Sequence, residues 1–169
     1  MKTFVLIALF FFLVPVIASG QTQQTTTIKL YFANEKLSKS DNFPVKVFPV
    51  TRKIPKTTAV AKAALELLFA GPTEAEKAKG YYSDFSEDTK SFFISVNVKN
   101  KAAYVNLKDP SLFPVVGNFT TSSGGSNFFG QVEKTLTQFP SIRKFFYAIE
   151  GDPAVFYDWM QIGECPKGT

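Results

Sequence analysis

The chain has 169 residues, 45% apolar and 15% aromatic, which is the size and content of one domain with its own core. It holds no histidine and one cysteine, which excludes Ser-His and Cys-His catalysis, thiolate metal sites and an internal disulfide. The net charge of +5 comes from scattered lysines rather than a basic stripe, so no nucleic-acid partner is expected.

Lys2, the uncharged run Thr3–Ile17 and the small residues Ala18-Ser19-Gly20 have the layout of a secretory signal peptide, residues 1–20, cut between Gly20 and Gln21. The alternative is a retained anchor, the chain's one expected route to a membrane. The run is short for a span and contains Pro15. Lipidation at the cut needs a cysteine there, and the single one is Cys165. The expected location is therefore extracytoplasmic, secreted or in the cell envelope, without a lipid anchor. Residues 21–27 (QTQQTTT) read as a polar spacer, 28–162 as the folded domain and 163–169 as a loose tail.

Ile28–Phe32 alternates and is β-prone, a first strand. After a charged loop, Val45–Arg52 alternates again, with Pro49 confining it to a sheet edge or bulge. A loop alone joins the two, so they are antiparallel neighbours. Pro55 ends the second strand, and Thr57 or Thr58 is placed to cap a helix over Ala59–Ala70. Val60, Ala64, Leu67 and Leu68 form its apolar stripe. Gly71-Pro72 stops it, and Thr73 with Glu76 forms a capping box for a short second helix that Gly80 ends. Residues 91–98 and 102–107 read as a hairpin around Lys99-Asn100-Lys101. Asp109–Gly125 reads as an exposed loop, followed by a helix over Phe128–Phe139 capped by Ser126 or Asn127 and closed by Pro140. Ile142–Ile149 is a last core strand, and Val155–Met160 a short aromatic strand. The order predicts an α+β fold: a mixed or antiparallel sheet with two main helices packed on one face.

The acid groups Glu74/Glu76, Asp84/Glu87/Asp88 and Glu150/Asp152 fall at helix starts or turns, where acids cap and solubilise. As a catalytic pair they are the lesser reading. Gly124-Gly125 lacks the spacing of a phosphate loop. Asn118-Phe119-Thr120 fits a glycosylation sequon, relevant in a eukaryotic secretory setting. The aromatics of 145–159 favour core packing, with a minority left to a partner surface. No catalytic residue, cofactor or metal ligand is assigned. Arg52 is the least explained residue: it forms a structural ion pair with a nearby acid, or it contacts a partner.

Three runs resemble the GerMN domain of the sporulation and spore germination family. The first holds Pro49, Arg52 and Pro55. The second runs from Leu67-Leu68 through Gly71, Pro72, Thr73, Glu76, Gly80 and Ser83. The third holds Thr135, Gln138 and Phe139. With the opening IKLYF, the likeness covers about residues 28–150. It implies a noncatalytic domain akin to the ring-building modules of spore and secretion assemblies, without a cofactor. Such a domain binds or assembles in the bacterial envelope, with an envelope protein or peptidoglycan. The rival readings are a cell-wall-acting enzyme or inhibitor using a carboxylate pair, and a homo-oligomerising structural module.

Overall fold

The computed structural model describes residues 24–38 and 44–166. The expected signal peptide and its cut at Gly20/Gln21 lie outside the described residues.

Among the described residues, six strands form two three-stranded sheets rather than one. In the first, β1 (Thr25–Asn34) lies between β2 (Val47–Pro55) and the two-residue β3 (Tyr81–Tyr82), all antiparallel. β1 begins three residues ahead of the expected strand, because the threonines before Ile28 pair with Lys53–Pro55. Ile28, Leu30 and Phe32 alternate inward from it. β2 is an edge strand, as Pro49 requires. In the second sheet, β4 (Phe93–Lys99) and β5 (Ala102–Leu107) form the expected hairpin. Asn100 (φ 52°) and Lys101 (φ 60°) both take left-handed conformations, which a two-residue type I′ turn needs. β6 (Lys144–Ile149) then joins β5 in parallel, so this sheet is mixed.

The helices that accompany them among the described residues are α1 (Val60–Phe69), α2 (Glu74–Lys77), α3 (Ser122–Thr137) and α4 (Pro153–Met160). α1 packs against β1, β4 and α3, so it joins the two sheets, and one apolar cluster runs through both. The cluster is rich in phenylalanine. Phe69 and Phe85 lie 4.4 Å apart, Phe119 and Phe128 5.1 Å, and Tyr147 and Phe156 4.9 Å, centroid to centroid. Each fully buried ring contributes roughly 1.5–3 kcal/mol of transfer free energy.

Four local expectations are corrected. Val155–Met160 is helix, not strand: Asp152 accepts from the N–H of Ala154 and Val155, Pro153 fills the first turn, and Phe156 and Met160 bury at i,i+4. Thr57 accepts from the Ala59 N–H at 3.1 Å, but α1 itself starts with no side-chain cap. α3 starts six residues earlier than expected, capped by Thr121, whose hydroxyl accepts from the Gly124 N–H at 3.0 Å. Asp109–Gly125 is not an exposed loop. It folds into 3₁₀ segments at Pro110–Leu112 and Pro114–Thr120 and the first turn of α3, and buries Val116 and Phe119.

Candidate functional site

Arg52 comes from β2 and reaches under the end of α1. Its Nε donates to Glu76 Oε1 at 3.1 Å and its Nη2 to Glu76 Oε2 at 2.5 Å. Nη2 also donates to the Gly71 carbonyl at 3.0 Å, and Nη1 to the Leu67 carbonyl at 3.4 Å. The guanidinium lies 5.7 Å from the Phe32 ring centroid. One fork thus answers a carboxylate and two carbonyls that the end of a helix leaves unpaired. Gly71 allows that ending: its φ is +78°, and a Cβ there would lie 2.2 Å from the Phe85 carbonyl oxygen.

Glu76 completes the unit. Its Oε2 accepts from the Thr73 N–H at 2.8 Å, while the Thr73 hydroxyl accepts from the Glu76 N–H at 3.3 Å, the expected capping box. Burial pushes the Glu76 carboxyl up, but the Arg52 hydrogen bond, the Thr73 N–H and the Arg52 charge outweigh it and hold the carboxyl below its usual value. The Arg52 and Glu76 side chains are each 14% exposed. The ion-pair reading of Arg52 therefore has its partner.

The later signature residues serve β1. β3 covers only Ala33 and Asn34, so the rest of that β1 edge lacks a strand. α3 supplies side chains in its place. Thr135 accepts from the Tyr31 N–H at 3.1 Å, and Gln138 brackets Lys29, accepting from its N–H at 2.9 Å and donating to its carbonyl at 2.7 Å. Phe139 packs half-buried against the core. Ser83 donates to Gln131 Oε1 at 2.7 Å and accepts from the Phe85 N–H at 3.0 Å. Gly80 (φ +90°) closes α2, and its carbonyl accepts from the Glu35 N–H. Pro72 is buried, and Pro55 ends β2.

Over the Arg52–Glu76 unit lies an open groove of about 970 Å³. Its floor includes Ile54, Leu67, Pro72 and Phe93, and its rim Glu66, Glu74, Glu87 and Asp88. Three of these rim acids face lysines in exposed pairs: Glu66 with Lys62, Glu74 with Lys77, Glu87 with Lys90. Such pairs each contribute at most about 1 kcal/mol. The structure brings Glu74, Glu87 and Asp88 to this one rim and keeps the other sequence-derived acids off it. Asp84 lines a different cavity from Glu87 and Asp88, Asp152 caps α4, and Glu150 accepts from the Asp109 N–H. Glu133 escaped the sequence reading. It sits mid-α3, accepts from the Tyr147 hydroxyl at 3.4 Å, and burial raises its carboxyl. Burial first, then the Glu133 charge, pushes the Tyr147 phenol well up. A mid-helix glutamate carries no motif; the one signal was its place beside Val132 on the inward stripe. Among the described residues no group of three His, Cys, Asp or Glu side chains is placed to hold a metal, and no helix is long and apolar enough to cross a membrane.

No curated protein matches the sequence. The fold is similar to the tandem GerMN domains of the sporulation protein GerM from Bacillus subtilis, with a TM-score of 0.56 at 21% identity. That match covers 86% of this chain but 43% of the other, so the chain spans less than half of the tandem pair. The first GerMN domain of the same protein, taken alone, gives a TM-score of 0.53 at 20% identity and covers 83% of this chain and 92% of that one. The α+β fold and the GerMN resemblance are borne out. A family profile, Germane, described as "Sporulation and spore germination", matches residues 29–155, and the chain belongs to that family.

Proposed function

We propose that the chain is an exported, noncatalytic binding or assembly module of the bacterial cell envelope, engaging an envelope protein or peptidoglycan. One observation supports this most. The family's signature residues are occupied inside the fold: Arg52 with Glu76, Thr73 in its capping box, Gln138 on Lys29. What the family shares is then a scaffold, and recognition falls to its surfaces. The groove above Arg52 and the open edges of β2 and β4 are the surfaces offered. In this reading Arg52 shapes the groove wall and meets a partner only through its exposed fraction. Assembly with further copies, as ring-building modules do, is a narrower form of the same proposal. The sequence layout before Gln21 supports export.

The test is retention. The chain from Gln21 onward is incubated with intact sacculi and sedimented, and in parallel used as bait for cross-linked envelope proteins. Retention on sacculi, or capture of a defined envelope protein, is the expected result. Absence of both retention and capture overturns the proposal. Size-exclusion chromatography of the same material decides whether copies assemble.

A further inference from the structure

A second cavity, of about 300 Å³, opens where β3 leaves its sheet and α3 begins. Tyr82, Asp84, Asn118, Ser123 and Asn127 line it. Asn127 is 5% exposed, and its Nδ2 donates to Asp84 Oδ2 at a long 3.4 Å. Its Oδ1 has no partner among the described residues. One turn along α3, the fully buried Gln131 carries an unpartnered Nε2. Gln131 lies behind the wall rather than in it, so the unmet acceptor that belongs to the cavity is the one on Asn127. Of the remaining wall, the Thr121 hydroxyl is taken up by the α3 cap and other polar groups stay open to a ligand. Among the described residues Asp84 meets no cation, and the Asn118 carboxamide and the Ser123 hydroxyl have no hydrogen-bond partner. Tyr82 is 48% exposed at the mouth. Gly124 holds the walls together, since a Cβ there would lie 1.8 Å from the Asn118 carbonyl oxygen.

The chemistry is selective. No lysine or arginine lines the cavity, and the Asp84 charge opposes an anion despite the nearby helix start. Amides and hydroxyls that both donate and accept, one carboxylate acceptor and one open aromatic face are the complement of a polyhydroxylated ring. Its hydroxyls donate to Asp84 and accept from Asn118 and Ser123, and its C–H face lies on Tyr82. We propose that this cavity binds one neutral sugar ring of a glycan chain. The choice of peptidoglycan glycan strand as the natural source rests on the envelope reading above; the sugar chemistry does not.

The test is NMR titration of the ¹⁵N-labelled chain with chitotetraose and, separately, cellotetraose. Saturable shifts at Tyr82, Ser123, Gly124 and the Asn127 carboxamide are expected. Affinity should fall about tenfold or more in Asp84→Asn and in Tyr82→Ala. Ser123→Trp, at an exposed position on the rim, should abolish binding without touching the core. A response to chitotetraose alone assigns an acetamido sugar; an equal response to both assigns reading of the hydroxyls; each supports the proposal. No saturable shift with either probe overturns it, as does unchanged affinity in the variants that remain folded. Sacculus retention without probe binding leaves the envelope reading standing and the sugar site refuted. Probe binding with neither sacculus retention nor a captured envelope protein does the reverse.

Discussion

Replacing Arg52 by Met keeps most of the stem and removes the guanidinium that lies over Phe32. Four hydrogen bonds go with it, two to the Glu76 carboxylate and one each to the Leu67 and Gly71 carbonyls. Bonds to charged groups contribute about 1.5–3 kcal/mol each in isolation, but bonds from one fork are not additive. Breaking a buried pair costs about 3–5 kcal/mol, much of it from the stranded charge. At 14% exposure on both sides, the low end applies, about 3 kcal/mol. For a domain of this size that lowers Tm by about 9 °C. Urea unfolding followed by the fluorescence of Trp159, which packs between Phe92 and Phe156, measures it directly. The loss carries a pH signature. Glu76 is held below its usual value in the folded chain, so its contribution is complete above the unfolded value of about 4.3 and is lost as pH falls through the folded one. Without Arg52, its hydrogen bond and charge no longer oppose desolvation, so the Glu76 carboxyl moves up from its wild-type position. The two proteins therefore converge in acid. Arg52→Lys keeps the charge but not the fork and should recover less than half of the loss. A loss below about 0.5 kcal/mol at pH 7, or one unchanged in acid, refutes the reasoning.

Gly71→Ala puts a Cβ 2.2 Å from the Phe85 carbonyl oxygen at φ +78° and should cost about 3 kcal/mol or more, read from the urea midpoint. Gln138→Ala uncovers both polar groups of Lys29 and should cost about 1.5 kcal/mol. Its mark is faster hydrogen exchange at the Lys29 amide, while Leu30, in register with Val50 of β2, stays protected. Glu133→Gln should stabilise at pH 7. Burial raises the folded carboxyl, so the wild type is more stable in acid and loses that stability as pH rises from the unfolded value through the folded one. Gln keeps an acceptor for the Tyr147 hydroxyl, and the gain should vanish below pH 4 in thermal scans, opposite in sign to the Arg52 loss, which also fades in acid.

The parts of the fold legible in the sequence are those with local causes. The alternation of Ile28, Leu30 and Phe32, the Lys99–Lys101 turn, the Gly71 stop and the Thr73–Glu76 box each declare themselves within a few residues, and each is found where expected. The division into two sheets is not local. It follows from β6 joining β5 in parallel after the α3 crossover, a pairing between residues about 40 apart that no short pattern encodes. Val155–Met160 misled for a related reason. Its aromatics suit a strand, and the helical spacing of Phe156 and Met160 is only two residues deep. The Asp152 cap ahead of Pro153 was the stronger sign.

The cavity at the start of α3 was the least legible part because its logic runs against helix propensity. Ser122–Gly125 reads as the end of a loop and Ser126 or Asn127 as a cap: two glycines, three serines and an asparagine all disfavour a helix interior. The glycines are there for contact. A Cβ at Gly124 would collide with the Asn118 carbonyl, and one at Gly125 would come within 3.1 Å of the Phe119 carbonyl. Their absence of side chains lets the Pro114–Thr120 segment lie on the start of α3 and bury Phe119 against Phe128. The lost propensity, about 1 kcal/mol per glycine, is offset by that ring contact and its burial. The same close approach brings Asn118, Ser123 and Asn127 to one cavity. Packing and pocket are therefore one device, and Gly124→Ala should open both: lower stability, with altered shifts at Asn127 before any sugar is added.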